Sequence, residues 1–181
     1  MFNRLIAIIL LFLFSPLFLI IGIIIYIFYK SPILFIQNRI GLNGKVFKIY
    51  KFRTMKVNTP NVATHLLYNA NQYVLKNIIF LRKLHLDELP NLINIIKGDM
   101  VFVGPRPALY NQKDLIDLRI ASGIDKLKPG ITGLAQIRGV FDMNISEKVE
   151  LEKEYLVKKS FLYDILIIIE TFKFVLKSVI Y

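Results

Sequence analysis

Leu5-Ile-Ala-Ile-Ile-Leu-Leu-Phe-Leu-Phe-Ser15-Pro16-Leu-Phe-Leu-Ile-Ile-Gly-Ile-Ile-Ile-Tyr-Ile-Phe-Tyr29 is a run of about 25 residues without a charge. As one helix, at about 1.5 Å per residue, it would be long enough for a ~30 Å hydrocarbon core. The apolar run is too long for a signal peptide and no small-residue cleavage site follows it, so it reads as a retained membrane helix. Ser15-Pro16 stands near its middle. Proline removes one helix hydrogen bond and clashes with the preceding turn, which predicts a kink, with the Ser15 hydroxyl as a neighbour for the freed carbonyl. Positive charge flanks the run on both sides, Arg4 and the amino terminus before it and Lys30 onward after it. A kinked spanning helix and a re-entrant hairpin with both ends in the cytoplasm both fit these flanks. In either case residues 30–181 are expected in the cytoplasm.

Working outward, 181 residues allow one domain beyond the membrane segment 1–29. With 55% hydrophobic residues the chain is too apolar to be disordered. It has no Cys, which excludes a disulfide framework, a thiol nucleophile and a thiolate zinc site, and its two His residues are too few for a His-rich metal centre. The net charge of +11 lies wholly in the first 86 residues, which hold no acid; the first two acids are the adjacent Asp87 and Glu88. Lys30, Arg39, Lys45, Lys48, Lys51, Arg53 and Lys56 form an unbroken cationic block that must meet lipid headgroups, a phosphorylated substrate or nucleic acid. No nucleic-acid module is recognisable and these cations lie beside lipid, so a nucleic-acid partner is not expected.

The remaining pattern predicts an α+β, helix-dominated fold. Residues 32–37 read as a strand, 39–44 as a turn and 46–52 as a second strand, together a small β-hairpin. Asn58 to Asn61 reads as a loop and 63–75 as a helix. Glu88 to Lys97 reads as a helix closed by Gly98, with Asp87 as N-cap and Pro90 in the first turn. Gly104 to Pro107 reads as a rigid loop, 108–121 as a helix, 129–133 as a turn-rich loop and 146–158 as a helix capped by Ser146 or Asn144. In 161–181, Glu170, Lys173 and Lys177 fall on one narrow face of an otherwise apolar helix. Such a helix suits a membrane interface, with a packed core helix as the alternative.

Three clusters carry chemistry. Asp87-Glu88 places two carboxylates side by side after the basic Arg82-Lys83, able to hold a divalent cation or act as a nucleophile. Lys51 and Arg53, two apart on a strand, share one face with Phe52 on the other, and that face can meet phosphate. In Gly104-Pro105-Arg106-Pro107 the prolines fix the backbone around one Arg, which lowers the entropy cost of a bidentate phosphate contact.

In this order the segments closely resemble the bacterial sugar transferase family, the monotopic polyprenyl-phosphate phosphoglycosyl transferases of small single-domain type. The resemblance runs through Ser15-Pro16, 32–41, 43–45, 50–55, 81–83, Leu86-Asp-Glu-Leu-Pro90, 92–94, 97–100, 103–107 and 128–136, with Asp164 and Thr171 near the end. It implies transfer of a sugar-1-phosphate from a UDP-sugar to polyprenyl (undecaprenyl) phosphate with release of UMP, the first membrane step of a cell-surface glycan. It implies Asp87 as the nucleophile that becomes an aspartyl-phosphosugar, and Glu88 as the ligand of Mg²⁺. Lys51, Arg53, Arg82 and Arg106 are the implied phosphate ligands, and Gly104, Pro105 and Pro107 support the loop that carries Arg106. It also implies a re-entrant helix broken at Ser15-Pro16, several amphipathic interfacial helices, contact with anionic membrane lipids, and a place on the cytoplasmic face of the bacterial inner membrane. A homodimer is compatible with all of this. Without the multi-helix membrane domain of some hexose-type relatives, an amino-sugar donor is the expectation.

The chain departs from the family pattern at several positions. Asn3-Arg4 and Ala7 stand where a Lys-Arg pair and an Asp are common, and His85 stands where a small hydroxyl residue is common. Val101-Phe102 replaces a frequent Ser-Leu, Arg138 precedes Gly139, and Glu152 stands for a usual Asp. Ala7 and His85 motivate the alternative of an inactive relative that binds polyprenyl phosphate or scaffolds a glycan-assembly complex.

Overall fold

A computed structural model describes residues 2–30, 32–60, 68–139 and 143–180. The first element is broken as its sequence predicts. Helices α1 (Phe2–Leu13) and α2 (Ser15–Tyr29) meet at a bend of 61°. Pro16 has no N–H for the carbonyl of Phe12, and the Ser15 hydroxyl donates to that carbonyl at 2.7 Å. Among the described residues no single helix is long and apolar enough to cross a membrane; the bent pair passes that test together, by length and composition.

Strands β1 (Leu34–Ile40) and β2 (Val46–Phe52) pair antiparallel from Leu34↔Phe52 to Ile40↔Val46. The hairpin is the expected one, but β1 is shifted: it starts at Leu34 and takes in Asn38 to Ile40. The turn shrinks to Gly41–Lys45, where Asn43 and Gly44 both take left-handed φ and Gly41 N–H donates to the Lys45 carbonyl. The expected helix over 63–75 lies partly outside the described residues. Its described remainder is a turn, a 3₁₀ segment at Ala70–Tyr73 and a bridge from Val74 to Met55.

After a 3₁₀ turn at Lys76–Ile78 come α3 (Ile79–Lys83), a 3₁₀ turn at Leu86–Glu88 and α4 (Asn91–Lys97), closed by Gly98 at φ +87°. β3 (Val101–Val103) pairs in parallel with β5 (Gly130–Thr132), so the segment read as a turn-rich loop is a strand. β4 (Ala108–Leu109) pairs with β1 and makes the sheet order β2-β1-β4. The helix expected from Ala108 therefore starts later, as α5 (Lys113–Ala121). Gln112 turns the chain instead, accepting from Leu109 N–H through Oε1 and donating its own N–H to the Leu109 carbonyl. The short α6 (Leu134–Arg138) precedes α7 (Ile145–Lys158), which starts on the expected Asn144 in a reciprocal capping box with Glu147. The chain ends in α8 (Phe161–Ile180).

The core explains why the hairpin sits where it does. Ala7 of α1 is fully buried with Phe47 and Ile49 of β2 and Leu92, Ile95 and Met100 around α4. Ile21 and Ile25 of α2 join Phe52, Leu75, Ile78 and Leu81. α1 thus packs on β2 and α4 while α2 packs on the end of β2 and on α3, and the departure at Ala7 is absorbed as close apolar packing. Arg4 adds a hydrogen bond to the Lys97 carbonyl at the C-terminus of α4. The pair also presents a bare apolar side: Phe12 is 83% exposed, and Leu13, Leu19, Ile20 and Ile23 are exposed as well. α8 buries Ile167 but exposes Phe161, Leu162, Leu166, Phe172 and Leu176.

Candidate active site

Asp87 and Glu88 come from the turn between α3 and α4. His85 takes a left-handed φ of +53° and reverses the chain, so Leu86–Glu88 form a single 3₁₀ turn. This overturns Asp87 as an N-cap. A capping side chain would need the N–H groups of Leu89 or Pro90, but Leu89 N–H already donates to the Leu86 carbonyl and Pro90 has none. α4 starts at Asn91, so the carboxylate of Asp87 is free of helix-capping duty and lines a cleft of about 960 Å³. Burial pushes the Asp87 carboxyl above its ordinary value and Glu88 adds to this, while Lys51, Arg82 and His85 pull it back.

Glu88 is in a different state. Burial alone would raise it, but Lys51 and Arg106 outweigh burial and hold it at about 2. Lys51 Nζ lies 2.5 Å from Glu88 Oε1 and Arg106 Nη1 lies 3.7 Å from the same oxygen. Lys51 reaches Glu88 because it alternates on β2 with Phe52, which is buried in the core as expected. Arg53, just past the strand, also lines the cleft, and it ties the hairpin down by donating to the carbonyls of Pro32 and Leu34. Arg82 lines the cleft from α3.

Arg106 is held by its backbone. Gly104, Pro105 and Pro107 are buried while the Arg106 side chain is 46% exposed into the cleft. Gly104, Gly130 and Gly133 allow this loop to press on the 129–133 segment. A Cβ on Gly104 would lie 2.4 Å from the Lys128 carbonyl, and one on Gly130 would lie 2.2 Å from Gly104 N. Two further arginines fix the loop's carbonyls. Arg39 Nη1 donates to Pro107 at 3.1 Å, and Arg119 Nη2 donates to Arg106 at 2.9 Å. Arg119 is itself held by both oxygens of the buried Glu152.

The charged residues that the sequence assigns to the site therefore meet in one cleft: Lys51, Arg53, Arg82, Asp87, Glu88 and Arg106. Ser15 and Pro16 lie at the helix bend. Arg39 and Lys48, read from the sequence only as part of the cationic block, and Lys148, which the sequence does not single out, line the same cleft. Arg39 stands two residues after Gln37 on β1, so the two polar side chains share one face as Lys51 and Arg53 do. Lys148 has no such signal, since it reads as one more charge on a polar helix.

Glu88 and Asp87 suit a divalent cation of the magnesium kind, which takes one or two carboxylates and completes its shell with water and substrate phosphate. Both cationic contacts of Glu88 fall on Oε1, so Oε2 is the oxygen through which this ionised group would reach a metal. No group of three or more His, Cys, Asp or Glu suited to a metal occurs among the described residues, so the protein could supply only part of the shell.

Cations surround two carboxylates here, a lining suited to a polyanion that reacts or binds beside an acidic pair. The chain belongs to the bacterial sugar transferase family, whose family model matches residues 1–178. It is 36% identical over 186 residues to the exopolysaccharide production protein ExoY of Rhizobium meliloti, covering 94% of this chain and 81% of that one. It is 33% identical over 169 residues to the UDP-N-acetylgalactosamine-undecaprenyl-phosphate N-acetylgalactosaminephosphotransferase of Aeromonas hydrophila, covering 91% of this chain and 40% of the relative. It is 38% identical over 175 residues to the UDP-glucose:undecaprenyl-phosphate glucose-1-phosphate transferase of Escherichia coli, covering 91% and 37%. The chain thus spans about two fifths of the length of the last two relatives.

Proposed function

We propose that this protein transfers a sugar-1-phosphate from a UDP-sugar to polyprenyl phosphate and releases UMP, in the synthesis of a cell-surface polysaccharide. The observation that carries the reading is the pairing in one cleft of a carboxylate with no direct cation contact among the described residues, Asp87, with one that is cation-locked, Glu88. In the first half-reaction an Asp87 oxygen attacks the phosphorus that bears the sugar. The bond from that phosphorus to the oxygen bridging to the nucleotide phosphate breaks, and UMP leaves with the bonding pair. In the second, a phosphate oxygen of the lipid attacks the same phosphorus and Asp87 is restored as a carboxylate. Like charges must approach in both steps. Lys51, Arg82 and Arg106 offset that repulsion, and Arg106 is pre-positioned by a rigid loop, so little reorganisation is needed. Mg²⁺, held by Glu88 with substrate phosphate, would add a polarising charge at the reacting phosphoryl group.

The bent α1–α2 pair supports a re-entrant anchor (residues 1–29) under a catalytic domain (30–181) on the cytoplasmic face of the inner membrane. Both ends of the pair are docked on the domain and the bend between them is bare and apolar, as a hairpin dipped into one leaflet would be. The apolar face of α8 suits the interface beside anionic lipid. Relatives of like identity are named for N-acetylgalactosamine and for glucose, so identity does not choose the sugar.

The test is a trap. Purified protein is incubated with Mg²⁺ and a panel of UDP-sugars without lipid, then digested and analysed by mass spectrometry. A phosphosugar adduct on the peptide containing Asp87, absent in Asp87→Asn, is expected, and its mass names the sugar. Robust turnover by Asp87→Asn would overturn the covalent route. Neither adduct nor lipid product across the panel would favour an inactive lipid-binding relative.

A further inference from the structure

Lys148 lies in the first turns of α7, half-buried, with its side chain on the cleft wall. Among the described residues its ammonium has neither a hydrogen bond nor an ion pair. The charges that face it are Arg119 from α5, Glu152 from its own helix, Arg106 from the loop and Arg39 from β1. Arg119 and Glu152 neutralise each other at close range. What remains around Lys148 is Arg106 and Arg39, both cationic. Arg39 uses Nη1 on the Pro107 carbonyl, and its buried Nε has no partner. Arg106 stands between the two parts of the cleft: it touches Glu88 on one side and acts on Lys148 and Arg39 on the other. Arg106 has Glu88 as its counter-charge, but among the described residues neither Lys148 nor Arg39 is paired with a carboxylate. Cations left so close together repel one another, and an anion arriving between them relieves that repulsion.

We propose that Lys148 and Arg39 form a second anion subsite, beside Arg106 and distinct from the Asp87–Glu88 pair, that takes a phosphate group other than the one bonded to Asp87. The inference rests on the transferase reading for the identity of that phosphate. It comes either from the nucleotide, in the first half-reaction, or from the lipid acceptor, in the second. Burial, with Arg119, Arg106 and Arg39 against Glu152, brings Lys148 down to about 8. The empty subsite therefore loses charge as pH rises through that value, and a bound anion holds the proton on.

The first experiment needs no turnover. Binding of inorganic pyrophosphate to the full chain in detergent is measured by titration calorimetry at pH 7 and pH 9, for the native protein, Lys148→Gln and Lys148→Arg. Removing one charged contact is expected to weaken binding at pH 7 about tenfold or more in Lys148→Gln, while Lys148→Arg retains it. Native affinity should fall relative to that of Lys148→Arg between the two pH values, with the arginine variant carrying any titration of the probe itself. Equal affinity of Lys148→Gln and native protein, with the same pH profile, overturns the subsite. Loss of binding in a chain that transfers nothing would keep the subsite and reject the transferase reading. The half-reactions then assign the source. A raised KM for UDP-sugar in adduct formation by Lys148→Gln marks the nucleotide phosphate. Normal adduct formation with a raised KM for undecaprenyl phosphate marks the lipid phosphate.

Discussion

Two carboxylates in this chain are gripped by a cation at 2.5 Å, Glu88 by Lys51 and Glu152 by Arg119, and their surroundings differ. Glu152 is 2% exposed and uses both oxygens on Arg119, whose Nη2 also donates to the Arg106 carbonyl. That network is sealed and satisfied, and it serves to hold a loop. Glu88 is 12% exposed, and its two cationic contacts, Lys51 and Arg106, both fall on Oε1. One pair is architecture and the other is an opening for a ligand. The same chemistry is turned to two uses by whether the cleft reaches it.

The largest effect that tests this contrast is Glu152→Ala. It leaves Arg119 buried without its partner, so a loss of about 3–5 kcal/mol of stability is expected in denaturant unfolding. Glu88→Gln should behave in the opposite way. Its amide oxygen can still accept from Lys51 and the cleft admits water, so the loss of stability should be smaller than in Glu152→Ala. Turnover should fall roughly 10²–10³-fold, the scale of losing one electrostatic group at a reacting centre. A Glu88 variant that unfolds while a Glu152 variant turns over normally would reverse the assignment.

Next in size is a pH effect. Glu88 is held at about 2, so the Lys51–Glu88 pair stays ionised far into acid and is lost only as pH falls toward that value. Asp87 is shifted the other way by burial, so its reactive carboxylate form grows in as pH rises. The acid limb of adduct formation should therefore lie above the ordinary value of an aspartate. Lys51→Met removes a charge that holds Asp87 down, and should move the limb further up. Stopped-flow quench of adduct formation against pH checks this, and a limb that moves down in the variant would refute it.

What could be read from the residues alone divides along the same line. The hairpin, the Ser15-Pro16 break, the Asn144 cap and the Gly98 stop are local, set by backbone rules within a few residues. The charged groups of the cleft could be found because each sits in a distinctive short pattern. β5 could not, because Pro129-Gly130 and Gly133 read locally as turns. They are needed for a contact with Gly104, which lies 26 residues before Gly130. Asp87 reads as a cap because the left-handed turn at His85, which leads into the 3₁₀ turn that spends the nearby N–H groups, carries no glycine to mark it. Lys148 becomes visible only when α7 is laid against the loop.

The smallest predicted effect is at Ser15. Its hydroxyl takes the Phe12 carbonyl that Pro16 cannot satisfy, which makes it look like the cause of the 61° bend. The cause is the proline ring, whose clash with the preceding turn persists whichever group meets the carbonyl. Since the chain has no native cysteine, Leu5→Cys and Ile27→Cys can carry spin labels, both positions being exposed. In lipid nanodiscs, dipolar spectroscopy should give Ser15→Ala nearly the native label separation with a broader distribution. Pro16→Ala should lengthen the separation as the two helices join into one. A straightened Ser15→Ala chain would mean that the hydrogen bond sets the bend, and the hydroxyl would then join Arg106 and Glu88 among the groups whose satisfaction decides the shape of the site.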